Sequence, residues 1–199
     1  MSQSVEFLFD LGSPSAYLAY TQMPAVAAEA HAEIVWRPVL LGGIFKATGN
    51  ASPLTVPAKG RYLFTDLARF ADRYGVALTP NPHFPVDTLR LMRTLTGLRM
   101  HEPERFLPAV DALYEAMWVD GRDLGDEAVA REVLATVHPD PEAALALAGR
   151  DDVKARLREE TDDAVARGVF GLPTMFVGDE MFFGQDRLDF VAEALARGN

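Results

Sequence analysis

Segments with the composition of β-strands lie only near the two ends of this 199-residue chain. Residues 5–10 carry apolar side chains on both faces, which is typical of an interior strand. Residues 14–30 predict a helix, and residues 34–39 are β-branched and aromatic enough for a second strand. Because strand–helix–strand crossovers are right-handed in nearly all folds, the two strands are expected to be parallel. The chain therefore begins with a βαβ unit.

A long helical block follows this unit. Between residues 60 and 168, apolar side chains recur at helical spacing and predict about six helices. Before the block, the glycine and proline residues from Gly42 to Pro57 predict a loop, because both residue types interrupt regular structure.

The end of the chain returns to strand-forming sequence. Residues 174–177 predict a strand, Gly178-Asp179 a two-residue turn of the glycine-first type, and residues 181–183 the return strand before a final helix. The whole order predicts an α/β fold, βαβ…ββα, with a large all-helical insertion. The predicted domains are a strand-containing domain, residues 1–55 and 168–199, and a helical domain, residues 56–167.

Charge and composition narrow the possible functions. The chain has 29 acidic and 19 basic residues, a net charge of −10, and it lacks the basic excess that a nucleic-acid surface needs. It contains no cysteine, so it has no disulfide, thiolate metal ligand or thiol nucleophile of its own. Its four histidines show no metal-ligand spacing. No apolar run reaches the ~18 residues of a membrane span, and the first residues lack signal-peptide features, so we expect a cytoplasmic protein without metal or membrane partner.

Ser13 and Pro14 mark the start of the first predicted helix. Serine is a preferred N-cap residue, and proline is favoured at the first helical position. Taken alone, this dipeptide indicates no more than a well-formed helix start.

Five segments carry a resemblance that covers almost the whole chain. They are FDLGSPSAYL at 9–18, GIFKATGN at 43–50, PAKGRY at 57–62, FGLPTMF at 170–176 and FGQDR at 183–187. Together they resemble the 2-hydroxychromene-2-carboxylate isomerases and kappa-class glutathione transferases of the DsbA-like group. The resemblance implies a thioredoxin-like fold in which Pro173, in a cis peptide, faces the first helix. Two positions depart from the family pattern: Ser15 stands where an aromatic residue is frequent, and Gln185 where Ser or Asn is frequent.

The resemblance gives Ser13 a catalytic role. A dithiol oxidoreductase would begin this helix with Cys-x-x-Cys, whereas this chain has Ser13 and Ala16, so the protein cannot exchange disulfides. The resemblance implies that the Ser13 hydroxyl donates a hydrogen bond to the thiolate of bound glutathione, and the helix N-terminus favours that anion.

The resemblance also implies which residues bind glutathione as the cofactor. The backbone of Leu172 and Pro173 would pair with its cysteinyl unit. Gln185 and Asp186 would bind its γ-glutamyl group, although Asp186 is equally suited to cap the last helix.

Three more residues, on the predicted loop between the second strand and the helical block, would bind a carboxylate of glutathione or substrate or lie close to it: Lys46, Asn50 and Lys59. Tyr17 and Trp118 are candidates for substrate contact, although a tryptophan inside a helical block more often belongs to the core.

The activity implied by the resemblance is a glutathione-dependent cis–trans isomerisation. It interconverts 2-hydroxychromene-2-carboxylate, a small aromatic carboxylate, and trans-o-hydroxybenzylidenepyruvate by reversible thiolate addition. Two alternatives remain open from the sequence: a kappa-like glutathione transferase that consumes glutathione, and a cysteine-less DsbA-like binding module. A homodimer is expected only by analogy with the family.

Overall fold

The computed structural model describes residues 3–197, and its centre is a four-stranded mixed sheet. The strands are β1 (Ser4–Phe9), β2 (Glu33–Pro38), β3 (Thr174–Val177) and β4 (Glu180–Phe183), in the order β2-β1-β3-β4. β1 runs parallel to β2 and antiparallel to β3, and β3 forms a hairpin with β4. The two ends of the chain thus meet in one sheet, and the predicted βαβ…ββα order is confirmed.

Nine α-helices lie within the described residues. They are α1 (Pro14–Glu29), α2 (Leu41–Thr48), α3 (Pro57–Tyr74), α4 (Leu89–His101), α5 (Pro103–Trp118), α6 (Glu127–Ala135), α7 (Pro141–Ala146), α8 (Asp151–Ala166) and α9 (Leu188–Arg197). Short 3₁₀ turns cover Pro53–Thr55, Leu147–Gly149 and Gln185–Arg187. Helices α3 to α8 form the predicted helical block.

The prediction of a loop from Gly42 to Pro57 is wrong, because α2 and a 3₁₀ turn occupy most of it. Contacts distant in sequence hold the start of α2: the Leu41 N–H donates to the Asp10 carboxylate at 2.8 Å. The Leu40 N–H donates to the Thr161 hydroxyl at 3.0 Å. Gly43, one of the glycines that predicted the loop, allows α2 to pack closely against α8. A Cβ at this position would lie 3.1 Å from the Thr161 methyl group.

One hydrophobic core passes through the sheet and the helical block. Its main cluster contains Phe7 and Phe9 of β1, Leu18 of α1, and Tyr114 and Trp118 of α5, all nearly or fully buried. Because the strand-containing part and the helical part share this core, the division of the chain into residues 1–55 and 168–199 against 56–167 stays a prediction.

An ion-pair network attaches α8 to the sheet. Glu160 of α8 is 3% exposed and accepts hydrogen bonds from Arg37 of β2 and Arg99 of α4. Glu6 of β1 pairs with Arg37 and Arg167. Burial alone would raise the pKa of Glu160, but the hydrogen bonds and charges of the two arginines outweigh burial and hold that pKa below its ordinary value. The network fixes the helix against which α2 packs.

Across residues 3–197, no helix combines the length and the apolar character needed to cross a bilayer.

Candidate active site

Ser13 lies at the junction of α1 and the segment before β3. Its hydroxyl accepts a hydrogen bond from the Ala16 N–H at 3.1 Å, as an N-cap does, and donates to the Leu172 carbonyl at 3.0 Å. The side chain is buried, and its own N–H donates to the Asp10 carbonyl at 3.0 Å. The hydroxyl is therefore held at the helix N-terminus by partners on both sides.

The segment facing Ser13 has the geometry expected from the sequence. The Leu172–Pro173 peptide bond is cis, and the Leu172 carbonyl points at the start of α1, where it accepts the Ser13 hydrogen bond. Thr174 supports the turn by donating to the Gly171 carbonyl at 2.8 Å.

A cavity of about 650 Å³ opens beside Ser13. Its walls come from the start of α1, from α2 and the loop after it, from α3, from the segment before β3, and from the turn after β4. The predicted site residues that line it are Ser13, Asn50, Lys59, Leu172, Gln185 and Asp186. The volume falls within the ~300–1,000 Å³ typical of small-molecule sites.

Aromatic side chains form the apolar part of this cavity. Phe45, Phe84, Phe170 and Phe183 all line it. The rings of Phe170 and Phe183 lie 4.6 Å apart and remain 40% and 41% exposed, so they form an aromatic surface at the mouth. The sequence motifs contain three of these residues, but only the structure shows that all four line one cavity.

Asp66 is a cavity residue that the sequence analysis missed. Lys59, Leu63 and Asp66 all line the cavity from α3. Their spacing of four and then three residues places them on one face of a helix. Once Lys59 is assigned to a helix instead of a loop, this spacing identifies Asp66.

The sequence predicted one loop for Lys46, Asn50 and Lys59, and this prediction is wrong. Lys46 lies in the last turn of α2, exposed and outside the cavity wall, whereas Lys59 lies in the first turn of α3 and lines it. Asn50 is already engaged: its side-chain N–H donates to the Phe170 carbonyl, and its side-chain oxygen accepts from the Ala51 N–H, both at 2.8 Å. Asn50 therefore links the end of α2 to the aromatic wall.

The start of the last helix also differs from expectation. Asp186 lies inside a 3₁₀ turn and pairs with Arg187, so it is not the cap of α9. The neighbouring Gln185 is nearly buried, and its carbonyl accepts a hydrogen bond from the Tyr74 hydroxyl at 2.6 Å.

The sequence and the fold of this chain match known proteins over nearly its whole length. Residues 4–196 match the family model of the DSBA-like thioredoxin domain. The chain belongs to the DsbA-like thioredoxin family. The resemblance and the thioredoxin-like fold predicted from the sequence are thereby confirmed.

Individual relatives of this DsbA-like protein fall into two groups. A 2-hydroxychromene-2-carboxylate isomerase of Sphingobium xenophagum is 32% identical over 197 residues, covering 98% of this chain and 99% of the relative. Glutathione S-transferase kappa 1 of Rattus norvegicus is 28% identical over 205 residues, covering 96% and 90%. A solved 2-hydroxychromene-2-carboxylate isomerase superposes with a TM-score of 0.86 at 29% identity, covering 98% of this chain and 95% of that one.

Two candidate substrate residues of this DsbA-like chain lie in the core. Trp118 is fully buried, and its indole N–H donates to the Leu11 carbonyl at 2.8 Å. Tyr17 is also buried, and its hydroxyl donates to the Ala77 carbonyl at 2.9 Å. Neither lines the cavity, so the expectation of substrate contact is corrected: Phe84 lies against Trp118 and is the ring that reaches the cavity.

The polar groups of the site suit binding and hydrogen-bond donation. Ser13 has no carboxylate or imidazole partner among residues 3–197, and its hydroxyl donates to a carbonyl, which is not a base. An unactivated serine is a poor nucleophile. In the same residues, no group of three His, Asp or Glu side chains is arranged to hold a metal ion. What the geometry offers is a hydroxyl donor at a helix N-terminus.

Proposed function

We propose that this protein is a glutathione-dependent isomerase acting on small aromatic 2-hydroxychromene-2-carboxylate-type acids. The observation that carries the proposal is the Ser13 hydroxyl, which lies at the N-terminus of α1 and beside a cavity, in a chain that contains no thiol of its own. A DsbA-like site without cysteine needs sulfur from a ligand to perform thiol chemistry.

The residues present fit glutathione. The tripeptide carries two carboxylates, one ammonium group and one thiol. The cavity wall supplies the ammonium group of Lys59 and the carboxylates of Asp66 and Asp186. The backbone of Leu172 can form hydrogen bonds with the cysteinyl residue of glutathione. Its carbonyl becomes free to accept one when the Ser13 hydroxyl turns away from it.

Bound glutathione would supply a thiolate that adds to the conjugated carbon of the opened substrate and later leaves it, so that the former double bond becomes free to rotate. Ser13 holds this sulfur by donating its hydroxyl proton to it in a hydrogen bond. The N–H of Ser15, in the first turn of α1, adds the partial positive charge of the helix end. Ala16 keeps the hydroxyl oxygen oriented throughout.

The hydrogen bond from Ser13 and the helix end together provide enough free energy to lower the pKa of the bound thiol. A hydrogen bond to a charged group contributes ~1.5–3 kcal/mol, and the helix end adds ~0.3–1. Ser13 gives up a neutral hydrogen bond to Leu172, which costs ~0.5–1.5 kcal/mol. The balance is about 2 kcal/mol, enough to lower a thiol pKa from ~8.5 to ~7.

The aromatic wall supports the choice of substrate. Phe170 and Phe183 present ring faces and edges at the mouth of the cavity, where offset or edge-to-face contacts with a planar ring add ~0.5–1.5 kcal/mol beyond area burial. Lys59 offers charge to the acid group of the substrate or of glutathione.

The test is the ultraviolet thiolate absorbance of bound glutathione, titrated against pH for wild type and Ser13→Ala. We expect a thiol pKa near ~7 in the wild type and a return toward ~8.5 in the variant, with turnover at neutral pH reduced at least about tenfold. Asp126→Ala is the control. Asp126 caps the N-terminus of α6 and does not line the cavity, so this variant loses a helix cap without changing the site. An unshifted pKa, or full turnover in Ser13→Ala, contradicts the proposal.

A transferase is the second candidate, because a kappa-class transferase is also similar over 96% of the chain. It would use the same sulfur site, and the free thiol concentration during turnover separates the two: an isomerase leaves it constant and a transferase lowers it. Absence of glutathione binding at millimolar concentration would instead favour a binding module.

A further inference from the structure

The Asp10 carboxylate is a buried charged group that the proposed chemistry does not use. It lies directly after β1, is 1% exposed, and forms no ion pair with a lysine or arginine among residues 3–197. Its partners are neutral: Oδ1 accepts from the Gly12 N–H at 2.9 Å and from the Thr88 hydroxyl at 2.7 Å, and Oδ2 accepts from the Leu41 N–H at 2.8 Å. Burying a carboxylate without a counter-ion is costly, so its presence calls for a reason.

The three donors come from three separate segments of the chain, and two of them, Gly12 and Leu41, line the cavity. Gly12 immediately precedes Ser13. Leu41 is the first residue of α2, which carries Phe45, and it lines the cavity itself. Thr88 immediately precedes α4 and follows the segment of Phe84. One side chain therefore links two cavity-lining segments to each other and to the residue before α4.

The turn that bears Ser13 is closed twice by the same residue. The Asp10 side chain accepts from the Gly12 N–H, and the Asp10 carbonyl accepts from the Ser13 N–H. Space at this point is limited, because a Cβ on Gly12 would lie 3.2 Å from the Thr88 methyl group and 3.4 Å from Asp10 Oδ1. The turn, the carboxylate and Thr88 are thus packed as one unit.

We propose that Asp10 is a positioning residue for the glutathione site, holding the Ser13 turn, the start of α2 and Thr88 in the arrangement that aims the Ser13 hydroxyl at the sulfur. This inference rests on the proposed function. The ionised form is the one that suits three donors, since a neutral acid would direct an O–H at one of them. Burial raises the pKa of Asp10 and the charge of Asp87 adds to the rise, while the three hydrogen bonds oppose it. Burial raises the pKa of the neighbouring Tyr114 hydroxyl, and the charge of Asp10 raises it further.

The first variant is Asp10→Asn, which keeps shape but offers only one acceptor atom. Its NH₂ group must face either the Leu41 N–H or the donors from Gly12 and Thr88, so one wall loses its attachment. We expect the Kd for glutathione, measured by titration calorimetry, to rise about tenfold, because a buried donor is left unpaired. The thiolate fraction of bound glutathione at pH 7 should fall with it.

A milder pair of variants keeps the proposal testable if Asp10→Asn fails to fold. Thr88→Val removes one donor without changing shape, and Thr88→Ser keeps the hydroxyl. Thr96→Val is the matched control: it lies in α4, is fully buried, and its hydroxyl donates only within the helix, to the Met92 carbonyl at 2.7 Å. We expect Thr88→Val to weaken glutathione binding about threefold and to raise the bound thiol pKa, Thr88→Ser to restore both, and Thr96→Val to lower only the Tm.

If Thr88→Val loses thermal stability as Thr96→Val does but binds and ionises glutathione like the wild type, Asp10 serves the fold alone and the inference is wrong. Failure of the proposed function gives a different result, because the wild type itself would then bind no glutathione or leave its thiol pKa unchanged.

Discussion

At the scale of single residues, some of the residues predicted to form the site lie at the cavity and others lie in the core. The Leu172 carbonyl faces the start of α1, as the resemblance implied, and there it accepts the hydrogen bond of the Ser13 hydroxyl. The contact that Asn50 makes could not be predicted from sequence, because its partner, the Phe170 carbonyl, is 120 residues away. Trp118 has the apolar spacing of a core residue, and its burial agrees with that simpler interpretation.

The two lysines of the motifs give a matched comparison. Lys59 lines the cavity and Lys46 does not, and neither has an ion-pair partner within residues 3–197. Lys59→Gln should raise the Kd for glutathione by up to about fivefold, since an exposed ion pair contributes ~0.2–1 kcal/mol. The difference should shrink as salt is added. Lys46→Gln is the control; if titration calorimetry finds that it weakens binding as much as Lys59→Gln, local contact at Lys59 is not the cause.

At the scale of elements, sequence predicts what neighbouring residues determine. The β3–β4 hairpin was predicted correctly, because Gly178 at φ +59° begins a tight turn that glycine adopts without strain. Helix α2 was missed, because its start is stabilised by Asp10 and Thr161, and Gly43 allows it to pack against α8. No local pattern contains either contact.

The ion-pair network around α8 predicts how stability depends on pH. The pKa values of Glu6 and Glu160 lie below the ordinary value of 4.5; burial raises both, and their arginine partners more than reverse this. A carboxyl with a lowered folded-state pKa stabilises the fold above its unfolded-state pKa, and this contribution is lost as the pH falls through the lowered value. Asp10 acts in the opposite sense, since its raised pKa makes ionisation at higher pH unfavourable for the fold.

Glu160→Gln should therefore lower the free energy of unfolding at pH 7 by about 3 kcal/mol, as expected when a buried ion pair loses one partner. Urea unfolding at pH 7 and at pH 3.5 should show a smaller loss with acid in the variant than in the wild type. Glu159→Gln, an exposed position on the same helix, is the control. An equal dependence on pH in wild type and Glu160→Gln would contradict this role.

At the scale of the whole molecule, one core joins the sheet to the helical block. Its strand and helix residues are far apart in sequence, so sequence could predict the order of elements but not whether the block folds as a separate unit. The homodimer and the cytoplasmic location stay predictions.

The shared core predicts a single cooperative unfolding transition, which glutathione should shift as a whole. At a ligand concentration of 100 Kd, binding stabilises the folded state by ~2.7 kcal/mol, which corresponds to a Tm increase of about 5–10 °C for a chain of this size. Scanning calorimetry measures both. A glutathione analogue with a methyl group in place of the thiol should give a smaller Tm increase. Two separate unfolding transitions would show that the helical block is an independent domain.

The hydrogen bond from Ser13 to Leu172 has a consequence for the speed of ligand exchange. The oxygen keeps its bond from Ala16 in either arrangement, so only the hydrogen changes direction, by rotation about the Cβ–Oγ bond. Such a rotor moves on the picosecond-to-nanosecond scale of side-chain motion. Arrival and departure of a sulfur ligand at this atom therefore require a hydroxyl rotation and no backbone rearrangement at Ser13.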